Sequence, residues 1–260
     1  MERIDSRDNL LIKEIKKLKD KKWREKNRRF IVEGIRFTME AVKSSFPVPY
    51  IFILESKEDK VSESGLLSKL SDDTKAYVLS SKAFNELKDT ESSQGIIAVV
   101  SFLEFTKEGE GFYILCDKIQ DPGNLGTIIR CGHAFNTLGV ILTSGTVDPY
   151  NEKTLRSTMG SIFKVPVIKD YDLNFTKSLK EKGYSLIGTS LNGSSDLDKT
   201  KLPVKAIIAL GNEGNGISEE ISSISDILVK INMPGDAESL NVSSAASIII
   251  YEYIKQNKYS

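Results

Sequence analysis

Three short stretches carry residues whose types and spacing could do chemistry. The first, "DPGNLGTIIRCGHAF" (121–135), sets a Pro-Gly pair and a second glycine ahead of a helical pattern, with Asn124 at its front and Arg130 two turns in. The second, "LGNEGNGIS" (210–218), is a glycine-rich loop after an apolar run. The third, "INMPGDAESLNVSSAASIIIYE" (231–252), places Glu238, Ser239 and Asn241 before the apolar helix positions Ala246, Ile249, Ile250 and Tyr253. Neither glycine loop has the G-x-G-x-x-G spacing of a dinucleotide site or the G-x-x-x-x-G-K of a triphosphate site. Glycines let backbone N–H and C=O groups approach a ligand closely. A ligand read by backbone and apolar walls, with no metal or phosphate clamp, fits a nucleoside such as an adenosyl group. Turn formation accounts for either loop on its own. Ser239 reads as a helix N-cap, its hydroxyl taking an orphan N–H. Asn241 reads as functional, because asparagine within a first turn gains little from propensity.

Other catalytic classes lack their parts. The single histidine, His133, supplies neither a metal site nor a triad and reads as a helix-surface residue. Cys116 and Cys131 show no framework or metal-ligand spacing and read as reduced, semi-buried thiols.

Positioning these loops requires strands and helices in alternation. Apolar runs at 112–117, 139–144, 164–169, 184–190, 205–210 and 226–231 are predicted strands, most of them separated by helical patterns. Such runs imply a mainly parallel α/β sheet covered on both faces. Ligands of open α/β sheets collect beyond the carboxyl ends of the strands, so the three loops are expected to converge. Residues 112–260 are read as this domain. Residues 103–112, polar with two glycines, read as a linker, and 192–196 ("NGSSD") as a loop. Residues 1–103 read as a smaller α/β domain. A helix is predicted over 8–22 on Leu10, Leu11, Ile15 and Leu18, strands at 30–34, 50–54, 75–80 and 95–102, and helices through Ala41–Val42 and after Ser80 or Ser81.

The composition is that of a folded protein, 40% hydrophobic and 28% charged in 260 residues. No apolar run approaches the roughly 18–20 residues of a membrane span, and no apolar signal segment follows the start. A cytoplasmic protein without membrane partners is expected. The net charge of zero hides an asymmetry: residues 13–29 hold ten Lys/Arg against three Asp/Glu, whereas 101–260 hold 16 against 19. The basic stretch contains Trp23 and runs into "RRF" (28–30), a combination suited to polyanions and bases. Lys21, Lys22, Arg24, Arg28, Arg29 and Arg36 are the expected nucleic-acid contacts; a solvated lysine-rich helix face is the alternative.

In this order and spacing, the three stretches resemble the motifs of the SpoU/TrmH branch of the SPOUT RNA methyltransferases over roughly residues 112–256. The run "KKWREKNRRFIVEGIRFTMEAV" (21–42) resembles the substrate-binding domain of ribosomal-RNA members, itself similar to small ribosomal RNA-binding proteins. The resemblance implies S-adenosylmethionine-dependent 2′-O-methylation of a ribose, on a guanosine of 23S-type large-subunit ribosomal RNA. It also implies a trefoil-knotted catalytic domain, a homodimer and no metal. The family's catalytic positions fall on Asn124, Arg130, Glu213, Ser239 and Asn241. Its cofactor positions fall on Thr189, Leu191, Leu210, Gly211, Asn212, Gly216, Ile231, Met233 and Leu240. One departure is Asn232, where the third motif usually has proline.

Methyl transfer from a sulfonium needs no metal, only a hydroxyl held in line. Arg130 matches the family's proposed activator of that hydroxyl. A guanidinium is a poor base, so binding the neighbouring phosphate and polarising the hydroxyl is its expected role. Asn124, Ser239 and Asn241 would orient the ribose and Arg130, and Glu213 would pair with Arg130 or hold its own loop. The alternatives are a transfer-RNA ribose methyltransferase, a self-protecting enzyme acting on an antibiotic-binding rRNA nucleotide, and an inactive RNA-binding assembly factor. Cofactor affinity separates the last from the rest.

Overall fold

A computed structural model describes residues 1–107, 109–190, 195–212, 214–236 and 238–258. The chain forms two compact units, Met1–Glu104 with Tyr150–Leu155, and Phe105–Pro149 with Arg156–Ser260.

The first unit runs β1 (Glu2–Ile4), α1 (Leu10–Lys16), α2 (Lys21–Asn27), β2 (Arg29–Glu33), α3 (Ile35–Val42), β3 (Tyr50–Leu54), α4 (Glu58–Glu63), β4 (Lys75–Leu79), α5 (Ser81–Leu87) and β5 (Ile96–Ser101). Its sheet has the order β1-β4-β3-β5-β2, with β5 antiparallel to both neighbours. The helix predicted over 8–22 is corrected to two. A 3-10 turn at Lys17–Lys19 leads to Asp20, whose carboxylate caps α2 by accepting from Lys22 N–H at 2.8 Å. The buried face of α1 is also corrected. Ile12 and Ile15 are buried, with Leu18 beyond them, whereas Leu10 stands 84% exposed. These side chains join Phe52, Leu79, Phe84, Leu87, Ile97 and Val99 in one core. Strand β1, which no periodicity announced, pairs parallel with β4. Tyr150, from the sequence of the expected second domain, stacks on Phe102 at 4.2 Å and tilts against Phe30 at 4.8 Å within this unit.

The second unit contains β6 (Phe112–Cys116), α6 (Pro122–Ala134), β7 (Gly139–Leu142), β8 (Val167–Lys169), α8 (Asn174–Glu181), β9 (Ser185–Thr189), β10 (Ser195–Asp196), β11 (Ala206–Leu210), α9 (Glu219–Ile224), β12 (Ile227–Lys230) and α10 (Val242–Lys258). Helix α7 spans Glu152–Thr158. The described strands form a parallel sheet in the order β10-β12-β9-β11-β6-β7-β8. The runs predicted as strands form it, though only Val167–Lys169 of 164–169 is extended. Part of the loop expected at 192–196 is corrected, since Ser195–Asp196 forms the edge strand β10; residues 192–194 lie outside the described residues. Side chains alternate across β6. Phe112 and Ile114 face α10 and α6, through the Phe112–Tyr253 ring contact at 4.7 Å and the close approach of Gly132 to Ile114. Leu115 faces a core of Leu179, Leu186, Ile207 and Ile221 on the other side. Both faces are dry, which is why these strands read as unbroken apolar runs.

Candidate active site

The first motif begins a helix rather than a turn. Asp121 caps α6, its Oδ1 accepting from Asn124 N–H at 2.8 Å, and Pro122 occupies the first helical turn, where a missing N–H costs nothing. Gly123 and Gly126 are therefore helical, which corrects the expectation of a glycine-shaped turn. Arg130 lies six residues after Asn124, about 120° round the helix, and seven after Gly123, nearly in line with it. The two expected catalytic residues thus lie on different faces. Arg130 is exposed on the small-residue face of Gly123 and Thr127, and among the described residues no hydrogen bond or ion pair holds its guanidinium.

The second motif is a tight loop after β11. Asn212 and Gly216 exchange backbone hydrogen bonds at 2.9 and 2.8 Å, and Asn212 Oδ1 accepts from Gly214 N–H at 2.9 Å. A Cβ on Gly211 would lie 1.9 Å from the carbonyl carbon of Gly216, so only glycine fits. Gly216 itself has φ +69°, the left-handed region that favours glycine. Glu213 lies outside the described residues, as does Leu191.

The third motif corrects the assignment of the cap. Helix α10 starts at Val242, and Asn241, not Ser239, caps it. The N–H and hydroxyl of Ser243 donate to Asn241 Oδ1 at 2.9 and 2.6 Å, and Ser244 and Ala245 donate to the Asn241 carbonyl. The Asn241 side chain has a second role: its Nδ2 donates to Asn124 Oδ1 at 2.9 Å. The predicted helix face holds, since Ala246, Ile249, Ile250 and Tyr253 are all buried.

The second and third motifs enclose a cavity of about 540 Å³ at the carboxyl ends of β9, β11 and β12. Its walls include Thr189, Leu210, Gly211, Asn212, Gly216, Ile231, Met233 and Leu240, which are the expected cofactor positions that fall among the described residues. Glu238 and Ser239 also line it. The size is that of a small-molecule site, and apolar side chains alternating with glycine backbone suit a nucleoside. Asn241 lies between two wall residues, Leu240 and Val242, so its bond to Asn124 ties the first motif to the rim of the cavity. Sequence reasoning missed Ser190, Ile217, Val229 and Ala245 in the walls; Val229 and Ala245 carry no signal beyond that of core residues. Asn232, at the departure from the family pattern, turns away to donate to Asp198 Oδ1 at 3.5 Å.

Two buried titratable groups of the second unit, Cys116 and Tyr253, are structural. Burial pushes the Cys116 thiol well up, with the neighbouring Asp117 carboxylate adding to it, so Cys116 stays protonated and inert. Burial, with a smaller effect from Tyr184, pushes the Tyr253 phenol up to about 12, and it donates to the Val204 carbonyl. His133 is exposed on α6, as expected, within 3.1 Å of Ser161 Oγ. Among the described residues no three His, Cys, Asp or Glu side chains gather as a metal site.

In the first unit, Lys21, Lys22, Arg28 and Arg36 are exposed and Arg29 half-buried. Arg24 is corrected. It is only 6% exposed, and its Nη1 donates to the carbonyls of Leu18 and Lys19 at 2.8 and 2.7 Å, so it bolts α2 to the preceding turn. Lys17 and Lys26 lie over the Trp23 ring at 4.8 and 4.9 Å.

Comparison with known proteins adds lineage to this geometry. Residues 111–251 match the family model of the SpoU rRNA Methylase family, and residues 9–98 match the MRM3-like substrate binding domain. The chain is 35% identical over 251 residues, 96% of its own length and 98% of the relative's, to the 23S rRNA (guanosine(2553)-2′-O)-methyltransferase RlmP of Bacillus subtilis. It superposes with a TM-score of 0.87 on the SpoU methyltransferase AviRb from Streptomyces viridochromogenes in complex with the cofactor AdoMet, at 27% identity, covering 95% of this chain and 98% of that one. An AdoMet-bound rRNA methyltransferase from Sinorhizobium meliloti gives a TM-score of 0.84 at 26% identity, covering 98% and 97%.

Proposed function

The chain belongs to the SpoU rRNA methylase family, and from that premise we propose that it is the S-adenosylmethionine-dependent enzyme that 2′-O-methylates a guanosine ribose of 23S-type ribosomal RNA. The observation that carries the reading is the Asn241–Asn124 bond at the rim of a nucleoside-sized cavity. It joins the motif that bears Arg130 to the motif that lines the cofactor wall.

The described residues fit the cofactor. Thr189, Leu210, Gly211, Asn212, Gly216, Ile231, Met233 and Leu240 would hold S-adenosylmethionine through backbone groups and apolar contact. When bound, it supplies a methyl group already activated by its sulfonium. The protein's task is then orientation. Arg130, exposed on α6 with small neighbours beneath it, grips the phosphate beside the target ribose and polarises the 2′-hydroxyl. Asn124, Asn241 and Ser239 orient the ribose, and Glu213 steadies Arg130 or its own loop. The first unit, expected as residues 1–103, binds the RNA by phosphate and shape through Lys21, Lys22, Arg28, Arg29 and Arg36.

A homodimer and the trefoil path of the chain are parts of the same reading. Helix α10 exposes Ile248 at 41% and Tyr251 at 56%, beside a hollow of about 490 Å³ shared with Leu197 and Ile231. An apolar patch of this kind suits a second copy. A cytoplasmic site of action accompanies a ribosomal substrate; among the described residues no helix is long and apolar enough to cross a membrane.

The test is to incubate the full chain with S-adenosylmethionine and protein-free 23S rRNA and map the 2′-O-methyl groups. A new methyl on one guanosine ribose is expected. Absence of cofactor affinity by calorimetry would leave the inactive assembly factor as the better reading.

A further inference from the structure

A buried carboxylate outside the cavity ties its second-motif wall to the base of the first motif. Asp117 follows β6 and is 1% exposed. Its backbone N–H donates to the carbonyl of Leu210 at 2.8 Å, where the loop 211–218 departs. Its Oδ2 accepts from Ser218 N–H at 2.6 Å, where that loop ends and α9 is capped. The other oxygen, Oδ1, accepts from the Thr143 hydroxyl at 3.0 Å, and Thr143 Oγ1 accepts from Lys118 N–H at 3.2 Å. The next residue adds a third hold, since Asn212 Nδ2 donates to the Lys118 carbonyl at 3.1 Å. Residues 117 and 118 thus fasten both ends and one interior position of the loop. Three residues later Asp121 caps the helix that carries Asn124 and Arg130.

This arrangement differs from that of the other buried aspartate, Asp170. Both Asp170 oxygens accept from α8, at Phe175 and Thr176, five and six residues along the chain. That is a local helix cap. Asp117 spans 101 positions to Ser218 and has no helix of its own to cap.

We propose that Asp117 is a positioning residue for cofactor binding: its carboxylate holds the second-motif loop in the shape that forms the cavity wall, without touching the ligand. The proposal rests on the assignment of that cavity to S-adenosylmethionine. A carboxylate is suited to the role because it accepts from both Ser218 and Thr143 and presents no donor to either. Removing it leaves the half-buried Ser218 N–H without its acceptor, and the loop relaxes away from the geometry that the ligand requires.

Calorimetry of the full chain with S-adenosylmethionine tests this, with binding to protein-free 23S rRNA measured alongside. Wild-type affinity for the cofactor establishes the underlying assignment independently of the variants. Asp117→Ala is expected to weaken cofactor binding by roughly tenfold or more and to raise KM for the cofactor. RNA affinity and kcat at saturating cofactor stay within about threefold of wild type. Asp117→Asn restores cofactor affinity to within about threefold, because its Oδ1 still accepts from Ser218 while its Nδ2 donates to Thr143 Oγ1. Should alanine prevent folding, Asp117→Ser replaces it, keeping a hydroxyl but withdrawing the carboxylate from Ser218. Cofactor affinity unchanged in the truncated variant overturns the proposal. So does a parallel loss of cofactor and RNA binding, which would mark a merely structural residue.

Discussion

Asn241 Nδ2 and Asn124 Oδ1 meet at 2.9 Å across 117 positions of sequence, while the other end of the same Asn241 amide caps α10. One side chain therefore starts the C-terminal helix and holds the first motif. The two roles separate on mutation. Asn124→Ala removes the tie while leaving the Asn241 cap in place, and is expected to lower kcat by roughly tenfold to a hundredfold, as misplacement by about 1 Å does. Asn241→Ala removes the cap as well and costs about 1 kcal/mol in addition. Single-turnover kinetics beside thermal melts check both, and a double-mutant cycle should be strongly non-additive.

Arg130 is exposed on α6, so its removal leaves the fold intact. Arg130→Ala should cost about 10²–10³ in kcat with cofactor affinity unchanged. Arg130→Lys restores little, because a lysine cannot reproduce the planar fork. An alanine variant that methylates at full rate refutes the assigned role.

Gly211 admits no side chain, since a Cβ would lie 1.9 Å from Gly216. Gly211→Ala must push the two strands of the loop apart, at about 1–3 kcal/mol. Cofactor titration should show most of that loss as weaker binding, while RNA affinity is retained.

The arginine-rich surface contains one residue that is not surface. Neutralising Lys21 or Lys22 should weaken RNA binding uniformly and reduce the slope of log K against log salt by about one each. Arg24→Ala should instead destabilise the first unit, because its guanidinium satisfies the carbonyls of Leu18 and Lys19. Binding measured between low and moderate salt, with circular dichroism, distinguishes the two.

Glu33 supplies a pH dependence. Burial pushes its carboxyl up, but hydrogen bonds from Ser93 and Thr90 and the N–H groups of Asp89 and Thr90 outweigh this, so it lies below the ordinary 4.5. A depressed carboxyl contributes stability that is present above the unfolded value and lost as pH falls through the folded one. Protection of the Asp89 and Thr90 amides against hydrogen exchange should fall below about pH 4.5. In Glu33→Gln it should be weaker and no longer change over that range.

Much of this was legible in the sequence because strands buried on two faces leave long apolar runs, and β6, β7, β9 and β11 have that form. The misses have local causes. Asp121–Pro122–Gly123 reads as a turn, yet proline in the first turn after an aspartate cap is equally a helix start. Leu10, Leu11 and Ile12 are consecutive and apolar, so only packing against Phe84 and its neighbours decides which turns inward. Strand β1 has a single buried residue, and its partner lies more than 70 positions away. Ser239 offered a cap by type, but Asn241 takes it because its amide can serve Ser243 and Asn124 together. Asp117 carried no sequence signal, because its partners are a distant backbone N–H and a threonine.

The strand order also sets a timetable for synthesis. Strand β6 meets β7 soon after it emerges, but its other edge must wait for β11, whose Ile207 pairs with Tyr113. The loop 211–218 and the Asn241 side chain that closes onto Asn124 emerge later still. A growing chain can therefore complete the sheet of its first unit long before it owns the walls of the cavity. On the proposed division of labour, competence to methylate arrives with the last few dozen residues, and a truncated product is expected to occupy RNA without modifying it.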